Sequence, residues 1–152
     1  MSWRETVARL LLASFLGALI GWDREIQGKP AGLRTLMLVS LSSCIFVLSA
    51  QEAARAMGES LEAVRAMAAI TQGIGFLGAG VVLQSRGEVL WLTTAAALWA
   101  AAALGLSVAL GQYLIAIVGA GLVLFALRGL IIVENRWIRP KARRGRRKDT
   151  MD

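Results

Sequence analysis

The chain has 152 residues, 57% of them hydrophobic, and its 17 Lys and Arg against 10 Asp and Glu give a net charge of +7. Soluble domains are only about 45–50% apolar, so this composition predicts a membrane protein, and the length allows one domain. There is no His and a single Cys, which excludes an intrachain disulfide, Cys/His zinc sites and catalysis that needs histidine. Cys44 lies in an apolar run and is typical of a small buried hydrophobic residue.

Stretches without charged residues locate the predicted helices. They run from Leu10 to Trp22, Thr35 to Gln51, Ala66 to Ser85 and Val89 to Leu127. The last has 39 residues. As a single helix it would be about 58 Å long, roughly twice the hydrocarbon thickness of a bilayer, so we expect it to fold back at Gly111-Gln112. The sequence therefore predicts an all-α membrane bundle with five spans, at about 5–22, 33–50, 67–85, 90–109 and 112–133.

The first span is ambiguous, because its 13-residue apolar core also suits a signal peptide. The sequence GWDRE that follows lacks a small-x-small cleavage signature, so we expect the span to be retained. Its start is extended back to Thr6, with the Arg9 side chain reaching outward to water. Between the second and third spans, residues 51–66 are predicted to form a short surface helix, with Glu52/Arg55 and Glu62/Arg65 at i,i+3 spacing.

Loop charges predict the orientation. With a cytoplasmic C-terminus, the cytoplasmic segments hold 13 Lys and Arg and the outer segments hold 4. The cytoplasmic segments are 23–34, 86–88 and 128–152, and the outer segments are 1–9, 51–66 and 110–112. The positive-inside rule therefore favours an outer N-terminus and a cytoplasmic C-terminus. Trp22, Trp91 and Trp137 then lie at the cytoplasmic interface, as in an aromatic belt.

Small residues spaced four apart recur in the spans. Helices in lipid associate through close packing and interhelical hydrogen bonds, and such spacing allows close approach. The residues concerned are Gly17 and Gly21 in the first span, Ala69, Gly73, Gly75 and Ala79 in the third (QGIGFLGAG), and Ala97, Ala101 and Gly105 in the fourth. We interpret them as helix-packing positions. A phosphate-binding loop is not indicated, because the required Lys-Ser/Thr does not follow the glycines.

Among the polar residues within the spans, we single out Thr71, Gln72, Thr93 and Thr94. We expect them to bond to the backbone or to a neighbouring helix. The alternative is that they line a polar pathway.

Three stretches resemble, in order and spacing, the core of the MgtC/SapB family of bacterial membrane proteins. They are GALIGWDREIQGKPAGLRTLMLVSLSS, GIGFLGAGVVLQ and LTTAAALWAAAALG, and the resemblance runs from about residue 10 to 130. It implies an inner-membrane protein linked to growth at low magnesium and to survival inside host cells. Founding members of the family resemble regulators of other membrane machinery, including the rotary ATP synthase and phosphate sensing. The family's older label is magnesium transporter.

The resemblance also marks functional positions. They are Asp23, Arg24, Glu25, Pro30, Gly32, Arg34 and Thr35 in the first stretch, Gly73, Gly75, Gly78 and Gly80 in the second, and Thr93 and Thr94 in the third. Longer members continue into a soluble C-terminal domain of the ACT type, and this chain is expected to be a short member without it. The expected division is a transmembrane domain at 1–138 and a basic cytoplasmic tail at 139–152.

The segment GWDREIQGKPAGLRT, residues 21–35, joins the first two spans. Gly28 and Gly32 allow a tight reversal of the chain, and Pro30 suits the first turn of the second span. Asp23 and Glu25 are two residues apart, so on a helix they point about 200° away from each other. They could hold one Mg²⁺ together only if the helix ended before Asp23.

Three interpretations of these charges remain open. The favoured one is a network of ion pairs, in which Arg34 is the first candidate partner of Asp23. Its members would be Asp23, Glu25, Glu88 and Glu134 with Arg24, Arg34, Arg86 and Arg128. The alternatives are ordinary solvated loop charge and a magnesium site on Asp23 and Glu25. No other cofactor is indicated.

Seven bases in the tail predict attraction to anionic lipid headgroups rather than to nucleic acid. They are Arg139, Lys141, Arg143, Arg144, Arg146, Arg147 and Lys148. For function, we expect a non-enzymatic regulator that docks onto a membrane protein, with a homo-oligomer as a further candidate assembly. The alternative is a transporter or channel for magnesium or another cation, although no charge-free run holds an acid at mid-membrane. An intramembrane enzyme is disfavoured, since no activated nucleophile and base are evident.

Overall fold

A computed structural model describes residues 2–58, 62–85 and 88–133, with side chains described over 2–58, 64–82 and 90–129. Within these ranges the chain forms five helices: α1 (Trp3–Ile26), α2 (Leu33–Met57), α3 (Glu62–Val81), α4 (Leu92–Ala109) and α5 (Tyr113–Val133). Four of them, α1 to α4, are long and apolar enough to cross a membrane, and α5 has an apolar stretch at Tyr113–Gly129. The predicted all-α membrane bundle is confirmed.

The core of the bundle lies between α1, α2 and α4, which all pack on one another. Fully buried apolar side chains meet there, among them Ile20 of α1, Leu36 and Val47 of α2, and Val108 of α4. Cys44 is also fully buried, as expected of a small hydrophobic residue. Helix α5 packs on α4 and α1, while α3 packs on α4 and α2. The charged end of α1 is therefore surrounded by α4 and α5 rather than by α3.

Three of the predicted packing residues lie where helix backbones nearly touch. A Cβ added to Gly17 would lie 2.6 Å from the Leu36 carbonyl oxygen, and one added to Gly21 would lie 2.6 Å from the Leu33 Cα. On α4, a Cβ at Gly105 would overlap the carbonyl oxygen of Ser40. The Ser40 hydroxyl in turn donates to the carbonyl oxygen of Ala13, 2.8 Å away. Ser40 thus lies at the point where α1, α2 and α4 cross.

Small residues on α4 complete this contact. Ala97 and Ala101 are buried with Gly105, so the predicted packing face of the fourth span is confirmed. Small side chains let α4 approach α2 closely, and close approach is the main source of attraction between helices in lipid.

The predicted packing role of the glycines on α3 is largely wrong. No atom lies within 4 Å of a Cβ added to Gly73, Gly75 or Gly80. Gly78 is buried, and its added Cβ would make only an ordinary 3.7 Å contact with Ala95. Helix α3 packs through Met67, Ile70, Ile74 and Val81 instead. Of the glycines, Gly75 and Gly80 lie off this side of the helix, and Gly73 borders an open cavity between α2 and α3.

The connections correct several boundaries. Helix α2 continues to Met57 and α3 begins at Glu62, so the predicted separate surface helix at 51–66 is replaced by extensions of both helices. The expected ion pair between Glu52 and Arg55 is present, at 3.4 Å, whereas the Glu62 side chain lies outside the described residues. Pro30 lies in the loop ahead of α2, not in its first turn.

The connection from α3 to α4 contains a short hairpin that was not predicted from the sequence. Strands β1 (Leu83–Ser85) and β2 (Glu88–Leu90) pair antiparallel, with Leu83 opposite Leu90. The chain then enters α4 through Trp91, which has a left-handed backbone conformation with φ of 62°. Between α4 and α5 the chain turns at Gly111, φ 76°, as predicted from the Gly111-Gln112 pair.

Candidate functional site

The most polar interior part of the molecule lies where the end of α1 meets the first turn of α4 and the distal part of α5. We call this the Asp23 end of the bundle, formed by Asp23, Arg24, Gln27, Thr94 and Arg128. Asp23 is 4% exposed and Arg24 is 2% exposed. Two adjacent buried charges in a chain of this composition need partners, because an unpaired charge away from water is costly.

Both carboxylate oxygens of Asp23 have a partner. The Nε of Arg128 on α5 lies 2.6 Å from Oδ1. This contact has ion-pair distance without hydrogen-bond geometry, so its attraction is electrostatic. The Nε2 of Gln27, one turn further along α1, donates to Oδ2 at 2.6 Å. The predicted pairing of Asp23 with an arginine is confirmed, but its partner is Arg128 and the preferred candidate Arg34 was wrong.

Arg24 is held by α4. Its Nη2 donates to the Thr94 hydroxyl at 2.6 Å, and the Thr94 side chain is itself buried. The Nε of Arg24 is buried without a hydrogen-bond partner among the described residues. The prediction that a threonine of the fourth span would bond to a neighbouring helix is therefore right for Thr94, while Thr93 is exposed. The left-handed turn at Trp91 sets the start of α4 and with it the position of Thr94.

Glu25 points elsewhere and has a structural role. Its Oε2 accepts a hydrogen bond from the backbone N–H of Leu33 at 2.9 Å, at the first residue of α2. This bond caps α2, since the first N–H groups of a helix have no partner within it. Gly32 makes room for the cap, because a Cβ there would overlap the Glu25 carboxylate.

The arrangement does not fit a magnesium site on Asp23 and Glu25. Helix α1 continues through Ile26, so the two carboxylates lie on different sides of the helix, Asp23 buried and Glu25 exposed. Each has its own partner in the protein. No group of three or more His, Cys, Asp and Glu side chains that could hold a metal ion occurs among the described residues.

The remaining motif residues of the α1–α2 connection lie at the surface. Lys29, Pro30, Arg34 and Thr35 are exposed and, with Glu25 and Gly32, line an open cavity of about 370 Å³. The same motif thus supplies buried charges that join helices and exposed charges that face outward. The latter are accessible to a partner, because none of the described acidic side chains lies within ion-pair distance of Lys29 or Arg34.

The opposite end of α1 carries a polar contact that sequence reasoning missed. Arg9 donates from Nη1 to the Ala109 carbonyl oxygen at 2.5 Å and from Nε to the Tyr113 hydroxyl at 3.1 Å. It also pairs with Glu5. The Arg9 side chain does extend toward the N-terminal end of α1, as expected, but there it bonds to protein groups because the end of α4 supplies an acceptor. A base within an apolar span was the available signal, but the sequence did not identify the acceptor.

Comparison with known proteins shows to which family the chain belongs. Residues 10–136 match the MgtC family, which is most of the chain and includes every residue of the Asp23 end. The chain belongs to the MgtC family. The resemblance carried by the three motif stretches is confirmed.

Three relatives illustrate the match. The chain is similar to protein SrpB of Synechococcus elongatus, with 36% identity over 150 residues that cover 90% of this chain and 81% of the relative. It is similar to protein MgtC of Salmonella typhimurium LT2, with 39% identity over 121 residues that cover 79% of this chain and 50% of the relative. A protein of Escherichia coli K12 that is named as a candidate magnesium transporter is 34% identical over 127 residues, 81% of this chain and 59% of the relative.

The chain therefore spans between half and three fifths of the length of two of these three relatives. No solved structure matches it at a significant level. The shared region is the helical bundle, so the family membership concerns the membrane domain with its Asp23 end.

Proposed function

We propose that this MgtC family member is a non-enzymatic regulator in the bacterial inner membrane, which acts on other membrane machinery and supports growth at low magnesium. In this proposal the Asp23 end faces the cytoplasm, as the distribution of Lys and Arg favours. The regulated machinery would be of the kind that the family resemblance implies, such as the rotary ATP synthase or the proteins of phosphate and magnesium homeostasis.

The observation that carries the proposal is that the Asp23 carboxylate already has partners within the protein. A cation pathway needs oxygen ligands that the ion can reach, and carboxylates in membrane spans often mark such pathways. Asp23 is the buried carboxylate of the bundle within the described residues, and Arg128 and Gln27 take its two oxygens. This supports a role of the charges in joining helices rather than in carrying an ion.

The exposed part of the motif supports docking. Lys29, Arg34 and Thr35 present cationic and polar groups around an open cavity, directly beside the Glu25 cap. A membrane protein with an acidic cytoplasmic loop could bind there while the buried pairs keep α1, α4 and α5 in register. The surface and the buried network would then have separate roles in one motif.

Cation transport is the second candidate function. It draws on the name of the Escherichia coli relative and on the buried position of Asp23, which would become a ligand if Arg128 moved away. A transported Mg²⁺ would be a substrate and would require this exchange of partners.

Flux measurements separate the two candidates. The purified full chain is reconstituted into liposomes that contain a magnesium-sensitive dye, and the same gene is tested for growth of a deletion strain at low magnesium. If the protein is a regulator, the gene should restore growth of the deletion strain, and the reconstituted protein should show no magnesium flux above that of empty liposomes. The transporter predicts saturable flux that Asp23→Asn abolishes. Glu52→Gln is the matched control. It makes the same carboxylate-to-amide change at an exposed residue near the C-terminal end of α2, away from the Asp23 end.

A further inference from the structure

Helix α3 exposes a face that the folded chain leaves uncovered. Its buried side carries Ile70, Ile74 and Gly78. On the opposite side, a stripe with helical spacing is exposed and consists of Ala68, Gln72, Gly75 and Ala79. We call this stripe the Gln72 face. It contains the Gly75/Ala79 pair, whose four-residue spacing is typical of closely packed helices in membranes.

The position of Gln72 makes this face costly to leave in lipid. Gln72 is the ninth residue of the 18-residue candidate span Val64–Val81, and it is exposed. No described group bonds to its amide, whereas the adjacent Thr71 hydroxyl donates to the carbonyl oxygen of Met67 in its own helix. At mid-span the surrounding medium is hydrocarbon, which supplies neither donors nor acceptors. An amide in this place needs a partner from outside the chain.

The glycine beside it allows that partner to come close. No atom of the chain lies within 4 Å of a Cβ added to Gly75. A glycine inside a helix lowers helix stability relative to alanine, and within this chain Gly75 gives no packing in return. By contrast, α1 exposes large side chains such as Leu11, Phe15 and Leu19, which suit contact with lipid. The Gln72 face therefore has the surface of a helix–helix contact.

We propose that the Gln72 face binds the Gln72 face of a second copy of this chain. Two copies inserted with the same topology have parallel α3 helices, and a two-fold axis along the membrane normal places each position of the face opposite itself. A glutamine amide carries both a donor and an acceptor, so the two Gln72 side chains can satisfy each other across the axis. Gly75 and Ala79 of one copy then lie against the same residues of the other.

The ends of the helices tolerate this arrangement. Arg65 also lies on the exposed side of α3, ten residues before Gly75, which is about 15 Å along the helix axis. Helices that cross at a Gly-xxx-small contact diverge from it, so the two Arg65 side chains separate toward the aqueous layer. Phe76, which is 81% exposed, flanks the stripe and would cover the side of the partner helix.

Dilution in lipid tests the proposal. The full chain with a C-terminal fluorescent protein is reconstituted at decreasing protein-to-lipid ratios, and copies per complex are counted by photobleaching. We expect a dimer for the wild type. Gln72→Leu should weaken association roughly three- to thirtyfold, the range measured for single interhelical hydrogen bonds, and Gly75→Leu should weaken it more by blocking close approach. Gly121→Leu is the matched control and should leave the dimer intact, because Gly121 on α5 is also exposed with no atom within 4 Å of an added Cβ.

Cross-linking locates the contact. In a Cys44→Ala background, oxidation should join copies through Ala68→Cys, Gln72→Cys or Ala79→Cys, and should not join them through Leu122→Cys on the exposed side of α5. Gln72→Leu replaces an amide by an apolar side chain at a lipid-exposed position. At high dilution the melting temperature of this variant should therefore not fall below that of the wild type. A loss of dimer can then be distinguished from misfolding.

A monomeric wild type would overturn the proposal and would assign the Gln72 face to a different protein. Dimers of unchanged strength in both Gln72→Leu and Gly75→Leu would overturn it as well. So would cross-linking through Leu122→Cys without cross-linking through Gln72→Cys.

Discussion

The guanidinium of Arg128 on α5 lies 2.6 Å from the carboxylate of Asp23 on α1. At the other end of the same two helices, Arg9 of α1 bonds to Tyr113 of α5. Residues 9 and 23 are about 21 Å apart along α1, and residues 113 and 128 are about 22 Å apart along α5. The two polar contacts therefore join parallel helices at matched heights, and they fix the register of α5 against α1.

The ion pair between Asp23 and Arg128 should stabilise the bundle. The Asp23 side chain is 6% exposed and that of Arg128 is 64% exposed, so the pair is intermediate between a surface pair and a buried one. Arg128→Gln leaves the Asp23 charge in the interior with Gln27 alone, and we expect it to lower the free energy of unfolding by about 1–3 kcal/mol. Thermal unfolding of the purified protein in detergent measures the change.

Arg34→Gln is the control for this experiment, because Arg34 is exposed and has no ion pair among the described side chains. It should change stability by less than about 0.5 kcal/mol. The double variant with Asp23→Arg and Arg128→Asp should recover part of the loss caused by Asp23→Arg alone. Equal effects of Arg128→Gln and Arg34→Gln would show that the pair contributes no more than ordinary surface charge.

Much of the fold followed from the sequence because lipid imposes a length on each span. The runs without charge placed all five helices, and Gly111 was identified as the turn between the last two. Gly17, Gly21 and Gly105 were correctly predicted to pack, since a glycine in a membrane helix often marks close approach.

The candidate site was only partly predictable, because its partners depend on how helices rotate about their axes. Asp23 was singled out, but the choice between Arg34 and Arg128 required the register of α5 against α1. The same spacing rule predicted a packing partner for Gly105 and for Gly75, but only Gly105 has one within the chain, because spacing identifies a packing face without saying which chain covers it. The hairpin before Trp91 was missed because each of its strands has only three residues, too few to show an alternating pattern.

Orientation in the membrane is a separate prediction. An outer N-terminus and a cytoplasmic C-terminus follow from the bias of Lys and Arg. Single cysteines at positions 57 and 111 should react with an impermeant maleimide added to intact cells, and those at 28 and 145 should react only after permeabilisation. Cys44 is fully buried and is replaced by alanine to remove background labelling. Labelling of residue 28 in intact cells would show that the topology is the reverse of the predicted one and that the Asp23 end lies outside.

Gly105 should be intolerant of even a methyl group. A Cβ there would overlap the Ser40 carbonyl oxygen, so Gly105→Ala must push α4 away from α2, and we expect a loss of about 1–3 kcal/mol. Gly121→Ala on α5 should be neutral or stabilising by up to about 1 kcal/mol, because it meets no atom within 4 Å and favours the helix. Chemical unfolding in mixed detergent compares the two. Similar midpoints for both variants would contradict the close crossing of α2 and α4 at Ser40.

The last prediction concerns the buried guanidinium of Arg24. Thr94 gives it a hydrogen-bond acceptor at 2.6 Å, and its Nε already lacks a partner among the described residues. Thr94→Val keeps the shape of the side chain and removes the acceptor, so it leaves a charged donor without a partner in the interior. We expect a loss of about 1.5–3 kcal/mol, the range for hydrogen bonds to charged groups. Thr93→Val makes the same change at the exposed neighbouring residue and should have little effect on the melting temperature. If Thr94→Val unfolds at the same temperature as Thr93→Val, Arg24 must reach another acceptor or water, and its burial against α4 would not depend on Thr94.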